Sequence, residues 1–413
     1  MTEVAVIGAG YVGTVTAACL ASKGLDVRLI EIRKDAVERM KKGDLALYEP
    51  GLEEMFREHL GENLSVTSDE TAIKGTDYSV ICVGTPPKDG HIDTRYVVSA
   101  AEAVKRNAGP GHTCILRSTV ETNTYRDLLK PILGDIDYGY WPEFLRQGHA
   151  VADWLNPSRV VYGTEGEGKA ASLIEPLFPG SKICRMGVAE AETVKLASNS
   201  YLAVRLSFFN SLADYCKRNG VGYDSVAAGV GSDPRIGDSF MEPGIGYGGS
   251  CLSKDTGYLI GLFERSGADP SVLRAAQSVN DGLIGRFVSD VERYGEADGM
   301  KIVVLGAAFN PSTDDIRNSR AVMIMDALLR KGAILSVYDP LCRDKLEEYF
   351  SGRGVRVAGS AREALEGTEL CLILNPCPEF SRLTDEDFSV MSERRILEGR
   401  RVPGIDGAEG FLW

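Results

Sequence analysis

Two doubly wound α/β domains, joined by a long helix and a helical middle region, are predicted by three observations. Short apolar strands alternate with helical stretches from the first residues onward. From Glu190 to about Arg218 there is neither Gly nor Pro, and the pattern is helical throughout. At Lys301 the strand–helix alternation restarts. Such alternation is the signature of parallel sheets covered by helices on both faces. The expected division is 1–185, 186–295 and 296–413.

The chain opens with the apolar strand Val4-Ala-Val-Ile7, followed by Gly8-Ala-Gly-Tyr-Val-Gly13, a helical pattern to Lys23, and a second strand from Val27 to Ile30 that ends at Glu31. This is a dinucleotide fingerprint in its required βαβ setting, and the domain is therefore expected to be Rossmann-like. Gly8 allows the tight turn, Gly10 admits the pyrophosphate, and Gly13 lets helix and strand pack. The pyrophosphate is expected on the helix N-terminus beside Tyr11 and Val12. Glu31 is placed to accept from a ribose and repels a 2′-phosphate, which favours NAD over NADP, although Arg33 and Lys34 lie close by.

Further strands are expected at Tyr78 to Val83, Thr113 to Leu116 and Tyr138 to Tyr140. Each runs into a polar loop, and ligands of open parallel sheets bind outside the carboxyl ends of the strands. Thr85, Ser118, Thr119 and Glu143 are thus candidates for the cleft, with turn and capping chemistry as the alternative. In the long helical run, Lys195 and Asn199 stand four residues apart on one face, followed by Leu202, Leu206 and Asn210. They are either active-site groups or a snorkelling pair. The helix is long enough to cross a domain or to form a dimer interface. A second helical run covers Asp269 to Tyr294, and Asp233-Pro-Arg-Ile-Gly237 reads as a turn. In the last third, strands are expected at Lys301 to Leu305, Ile334 to Tyr338 and Glu369 to Leu374, with a helix from Ser319 to Lys331. Only one glycine, Gly306, follows the first of these strands, so a second full fingerprint is absent.

The stretch Gly244-Ile-Gly-Tyr-Gly-Gly-Ser-Cys-Leu-Ser-Lys-Asp255 carries the most chemistry. Its glycines permit close approach of backbone to a ligand. A helical segment, Ser253 to Ser266, follows at once, so Cys251 lies near a helix N-terminus, where the dipole favours a thiolate. Lys254 opposes that dipole and makes sense if an anion such as a phosphate docks there. Asp255 fits the dipole and could orient a water. Thiol, cation and carboxylate on a glycine loop point to covalent catalysis on a phosphorylated ligand; the alternative is a glycine-rich loop capped by an inert, buried cysteine.

Composition bounds the function. A length of 413 residues allows two or three domains. A formal net charge of −13 argues against nucleic acid as the main partner, while a local cation cluster can still hold an anionic substrate. No apolar stretch reaches membrane-spanning length, and with a strand pattern already in residues 1 to 10 no cleavable leader is expected. Nine scattered cysteines with no Cys-x-x-Cys, and four histidines with no helical pairing, argue against a zinc site and against a disulfide framework. They suit the cytoplasm.

Taken together, the fingerprint, Val83-Gly-Thr-Pro86, Ser118-Thr-Val120, Pro142-Glu-Phe-Leu145, Lys195-Leu-Ala-Ser-Asn199, the cysteine loop and Thr313-Asp-Asp-Ile-Arg317 resemble the UDP-glucose/GDP-mannose dehydrogenase family over nearly the whole chain. The Asp233 to Gly237 turn is similar to the UDP-glucose branch in particular. The resemblance implies a four-electron oxidation at C6 of a nucleotide sugar, UDP-glucose to UDP-glucuronate, with NAD as cofactor. Cys251 would form a thiohemiacetal and then a thioester. Lys195 and Asn199 would stabilise the oxyanion, and Asp255, Glu143 and Thr119 would handle protons and water. Lys254 and Arg317 are expected at the phosphates of cofactor or substrate. The UDP-sugar is expected to meet Glu143, Phe144, Leu145, Arg146, Gln147, Tyr247, Gly248, Phe309 and Arg400, and the C-terminal domain to bind its UDP. Arg235 is expected to reach a neighbouring subunit's site, within a homodimer or higher homo-oligomer.

Several positions depart from the family pattern. Asn310 replaces a lysine expected after Phe309, Ser253 stands where proline is usual, Glu398-Gly-Arg400 replaces Asp-Gly-Arg, and Leu374-Asn-Pro-Cys377 replaces a Thr-Glu-Trp strand end. They cluster in the nucleotide-facing half and leave the oxidative set intact. Alternatives are another UDP- or GDP-hexose 6-dehydrogenase, a two-electron 6-phosphogluconate-type β-hydroxyacid dehydrogenase, and a non-catalytic nucleotide-sensing protein.

Overall fold

The computed structural model describes residues 2–88, 91–165 and 168–413. The chain divides into two compact units, Met1–Ser198 and Asn199–Trp413.

The first unit is built on an eight-stranded sheet. Its strands are β1 (Glu3–Ile7), β2 (Asp26–Ile30), β3 (Leu64–Thr67), β4 (Tyr78–Ile81), β5 (Thr113–Leu116), β6 (Asp137–Tyr140), β7 (Val160–Thr164) and β8 (Ile183–Met186). The order is β8-β7-β6-β5-β4-β1-β2-β3. All neighbours are parallel except β6 and β7, which run antiparallel. Both faces of the sheet are covered, so its central strands are mostly apolar on both faces, as in the run Val4-Ala-Val-Ile7. Val4 and Val6 enter one core with Leu20, Phe56 and Trp154. Ala5 and Ile7 enter the opposite core with Val104, Leu129 and Tyr140. This period of two is the pleat of a strand.

The second unit holds a six-stranded, all-parallel sheet: β9 (Lys301–Leu305), β10 (Ile334–Tyr338), β11 (Arg356–Val357), β12 (Leu370–Ile373), β13 (Ile396–Glu398) and β14 (Glu409–Gly410). Its order is β11-β10-β9-β12-β13-β14. Ile302 and Val304 pack toward Phe287, Met325 and Leu328, while Val303 and Leu305 face Ala364, Phe380 and Phe388. The helices Leu252–Ser266 and Ser271–Val291 belong to this unit. The helix Val188–Arg218 passes from one unit into the other. Val188 and Ala191 lie in the first unit's core, and Phe209, Ala213 and Cys216 in that of the second.

The predicted doubly wound domains and long helix are therefore present, with six sheet strands that the apolar pattern did not predict: β3, β7 and β8 in the first unit, and the short β11, β13 and β14 in the second. β3, β7 and β8 are peripheral to β1 and β4, and they carry Ser65, Thr67, Thr164 and Arg185 among their apolar residues. Polar atoms at the sheet margin weaken the periodic signal. Strand β4 is two residues shorter than the run Tyr78 to Val83, because the chain there turns into Gly84-Thr-Pro-Pro87 and proline has no N–H for a ladder.

Phe287 is fully buried and meets Phe411 edge-on, with ring centroids 5.0 Å apart. Phe287→Ala is expected to lower the stability of the second unit by about 3–5 kcal/mol. A urea titration followed by fluorescence of Trp413, which packs on the same core, should show an earlier midpoint.

Candidate active site

The loop after β1 has the geometry that a dinucleotide requires. Gly8 sits at φ +100°, and a Cβ on Gly13 would lie 1.8 Å from the Gly8 carbonyl oxygen. Nothing lies within 4 Å of the space above Gly10, which caps the helix Tyr11–Ser22. The helix N-terminus is thus open to an anion, with Tyr11 and Val12 in its first turn. Glu31 accepts from the Ala9 N–H at 3.1 Å and from Arg33 Nε at 3.0 Å. Burial works against its charge, but Arg33 and the N–H donors outweigh it and hold the carboxyl below its ordinary range. These residues fit NAD, with a carboxylate at the ribose position. Ser118 donates to the Val83 carbonyl at 2.7 Å, which ties two strand-end loops together, and Thr85 on the one loop and Thr119 on the other are both buried.

Glu143 and Lys195 form a buried pair in the same unit. Lys195 Nζ donates to Glu143 Oε1 at 2.9 Å and to the Glu143 carbonyl at 2.7 Å. The other carboxylate oxygen accepts from the Leu145 N–H at 2.8 Å. Desolvation alone would raise the Glu143 pKa, yet Lys195 and the Leu145 amide keep it lowered. The Lys195 ammonium also lies 5.4 Å from the centroid of the Phe144 ring. The snorkelling alternative for Lys195 is therefore excluded: its side chain is only 3% exposed.

The cysteine loop lies in the second unit and is gripped there by its neighbours. Gly244 N–H donates to Asn210 Oδ1 at 2.9 Å, and Tyr247 N–H to Asn280 Oδ1 at 2.8 Å. Gly246, at φ +92°, passes so close to Asn280 that a Cβ would lie 2.4 Å from its Oδ1. Arg320 donates to the Ile245 carbonyl at 3.0 Å, and burial lowers its pKa to about 10. Gly248 is pressed against the Asn318 carbonyl, and Phe309 lays its ring on Gly249. Cys251 emerges as the N-cap of Leu252–Ser266, exposed, with its Sγ 3.7 Å from Ser250 Oγ. Cys251 is thus not the buried thiol of the alternative reading. Asp255 is 1% exposed; one oxygen accepts from Asn199 Nδ2 at 2.6 Å, and the other lies 3.6 Å from Lys254 Nζ. That second oxygen accepts no hydrogen bond among the described residues.

The remaining expected residues fall into two groups. Arg317 pairs with Asp315 at 2.7 Å, and its charge, favoured first by that carboxylate, also feels Cys251. Arg400 is no surface ion-pair residue: it donates to the Gly246 carbonyl, and burial lowers its pKa. Arg146 pairs with Asp153 at 2.6 Å on the surface. Arg235 pairs with Asp233 and has a side chain 87% exposed. Tyr247 is buried, its phenol pKa raised by desolvation.

Three consecutive family models match the chain: the NAD binding domain of the UDP-glucose/GDP-mannose dehydrogenase family at residues 2–179, its central domain at 189–282 and its UDP binding domain at 303–403. The UDP-glucose 6-dehydrogenase AglM of Haloferax volcanii is 36% identical over 97% of this chain and 97% of its own. The chain belongs to the UDP-glucose/GDP-mannose dehydrogenase family. TuaD of Bacillus subtilis, a UDP-glucose 6-dehydrogenase, is 33% identical over 100% of this chain and 92% of its own. Among solved structures, a UDP-glucose dehydrogenase from Pyrobaculum islandicum superposes with a TM-score of 0.92 at 34% identity, covering 100% of this chain and 98% of that one. A UDP-D-ManNAc dehydrogenase from Pyrococcus horikoshii gives 0.85 at 26%, covering 100% and 99%. Membership makes the protein an NAD-dependent nucleotide-sugar 6-dehydrogenase. No helix among the described residues is long and apolar enough to cross a membrane.

Within this dehydrogenase, sequence reasoning missed buried polar groups in each unit: Arg117 and Glu192 in the first, and Asn280 and Arg320, which hold the glycine loop, in the second. Arg117 is 3% exposed and stacks on Trp141, with its guanidinium carbon 3.9 Å from the ring centroid. Glu192, one turn before Lys195, accepts from the Asn123 N–H at 2.6 Å and the Tyr125 N–H at 2.9 Å. It joins the start of the long helix to the segment that follows Thr119. A carboxylate three residues ahead of Lys195 on an otherwise buried helix face was the available signal.

Burial raises the Glu192 pKa from 4.5 to about 7. The folded state therefore holds this proton more tightly than the unfolded chain. The associated stability is complete below pH 4.5 and is lost as the pH rises to 7, by about 3 kcal/mol. Glu192→Gln should lack this loss. Urea unfolding of both proteins at pH 5 and pH 7.5 is expected to show the gap between them shifting in favour of the variant at the higher pH.

Proposed function

We propose that the protein is a UDP-glucose 6-dehydrogenase that oxidises the C6 hydroxymethyl to a carboxylate with two NAD⁺ and one water per turnover. The single observation that carries the reading is Cys251, exposed at a helix N-cap on a rigidly held glycine loop. The names of the relatives support UDP-glucose, as does the Asp233 to Gly237 turn.

Bound NAD⁺ supplies the hydride acceptor. Gly8, Gly10, Tyr11, Val12, Gly13, Glu31, Thr85, Ser118 and Thr119 would hold it. The Cys251 thiolate adds to the C6 aldehyde and retains the carbon as a thiohemiacetal, so the reactive aldehyde does not escape. After loss of the C6 hydrogen the carbon is a thioester, which water hydrolyses with release of the thiol. Lys195 and Asn199 donate to the oxygen on C6 as charge develops there. Asp255 orients the water, and Glu143, with Thr119, serves proton transfer. Arg317, Lys254, Phe309 and Arg400 receive the nucleotide, and Glu143, Phe144, Leu145, Arg146, Gln147, Tyr247 and Gly248 line the sugar.

The three functional segments are 1–185 for NAD, 186–295 for catalysis and dimerisation, and 296–413 for UDP. Tyr201, Phe208 and Tyr215 support a homodimer. They recur every seven residues along Val188–Arg218, which puts them on one helix face, and they are 62%, 60% and 60% exposed. Arg235 reaches the neighbouring subunit's substrate in this reading. The free cysteines suit the cytoplasm.

With limiting UDP-glucose, two NADH per sugar are expected by absorbance, against little or no NADH from UDP-N-acetylmannosamine or GDP-mannose. Cys251→Ser should release no UDP-glucuronate. One NADH per sugar, or full turnover by the serine variant, would overturn the assignment. For the dimer, Phe208→Glu is expected to shift sedimentation to the monomer; an unchanged coefficient would move the interface elsewhere.

A further inference from the structure

Glu49 lies outside every motif discussed so far. Its place is set by Glu49-Pro-Gly-Leu52, a type II turn: the Leu52 N–H donates to the Glu49 carbonyl at 3.1 Å, and Gly51 takes φ +76° and ψ −7°. Proline at the second position and glycine at the third make this turn stiff. It presents a carboxylate that is 4% exposed. One oxygen accepts from the Tyr11 hydroxyl and from the Gly148 N–H at 2.7 Å. The other accepts from the Ala150 N–H at 2.7 Å. Burial first, and then this carboxylate, hold the Tyr11 phenol far above its ordinary range, so it stays a donor.

Those three donors belong to two loops with different duties. Tyr11 is the first residue of the helix whose N-terminus is open to the dinucleotide. Gly148 and Ala150 close the segment that Glu143 begins, and Gly148 adopts φ +86° there. The peptide bonds that shape the end of the substrate segment and the residue that opens the cofactor helix thus share one carboxyl group.

We propose that Glu49 is a positioning residue that couples cofactor occupancy to the order of the 143–150 segment. A dinucleotide that fixes the start of the helix fixes Tyr11, Tyr11 fixes the Glu49 carboxylate, and the carboxylate fixes the amides of Gly148 and Ala150. By linkage, a ligand on the 143–150 segment tightens the cofactor helix by the same factor. The inference rests on the reading of residues 143–147 as the sugar-lining segment given above.

Hydrogen exchange of the full-length protein, with and without NADH, tests it. In the wild type, NADH should slow exchange in the peptide covering 143–155 by about fivefold or more. Glu49→Gln replaces one acceptor oxygen by an NH₂ group, which faces an N–H donor and cannot accept from it. Its peptide should exchange faster and no longer respond to NADH. Tyr11→Phe keeps the bonds from Gly148 and Ala150 to Glu49, so its unliganded exchange should match the wild type while the NADH effect disappears. A purely structural Glu49 would leave the NADH effect in Tyr11→Phe intact, and that result overturns the proposal. So does a wild type in which NADH leaves the peptide unchanged. If the exchange pattern is as expected but no nucleotide sugar is turned over, the substrate assignment falls and the coupling stands.

Discussion

The hydrogen bond between the Lys195 ammonium and the Glu143 carboxylate, 2.9 Å long and removed from water, is the constraint around which the first unit's site is arranged. Two charges leave solvent at considerable cost, and the cost is met only because their other hydrogen bonds are satisfied within the same segment. Lys195 takes the Glu143 carbonyl as well, and the second carboxylate oxygen takes the Leu145 amide. Removing either partner strands the other, a loss of about 3–5 kcal/mol. The pair therefore ties the polar loop after β6 to the long helix, so that the Glu143 carboxylate and the Lys195 ammonium hold one geometry.

The same device recurs at other loops of the unit. Glu31, Glu49 and Glu192 are all buried, and each accepts backbone N–H groups from a segment distant in sequence. A buried N–H without a partner is costly, and a carboxylate accepts several at once. Loops at the carboxyl ends of strands have no ladder to satisfy their amides, so inward-facing acids supply the acceptors. In the first unit such acids also hold in register the loops that carry the candidate site residues.

The second unit reaches rigidity by other means. Amides and arginines, Asn210, Asn280, Arg320 and Arg400, grip the carbonyls and N–H groups of the glycine loop. Its Rossmann-like sheet also explains the single glycine after β9. Gly306, at φ +83°, makes the turn as Gly8 does, but the next two amides, those of Ala307 and Ala308, donate to Asp339 Oδ2 at 2.8 and 3.0 Å. The acid that follows β10 thus holds the turn by its amides, much as Glu31 after β2 holds the Ala9 N–H.

The sequence by itself determined everything whose cause is local. The order of glycines around Gly8, Gly10 and Gly13 is dictated by steric contact between residues a few positions apart. The N-terminal placement of Cys251 follows from the helix that begins one residue later, and the covered sheets follow from predominantly apolar strands such as Val4-Ala-Val-Ile7 and Ile302-Val-Val-Leu305. Family-level motifs then named the chemistry. Only the tertiary structure decided the partners. The Glu49 carboxylate and the Ala150 amide are 101 residues apart, Glu192 and Tyr125 are 67 apart, and Asn280 and Tyr247 are 33 apart. It also decided that β7 runs antiparallel to β6. Such pairings leave no periodic trace along the chain, because a buried acid or amide satisfies whatever donors the folded backbone brings to it.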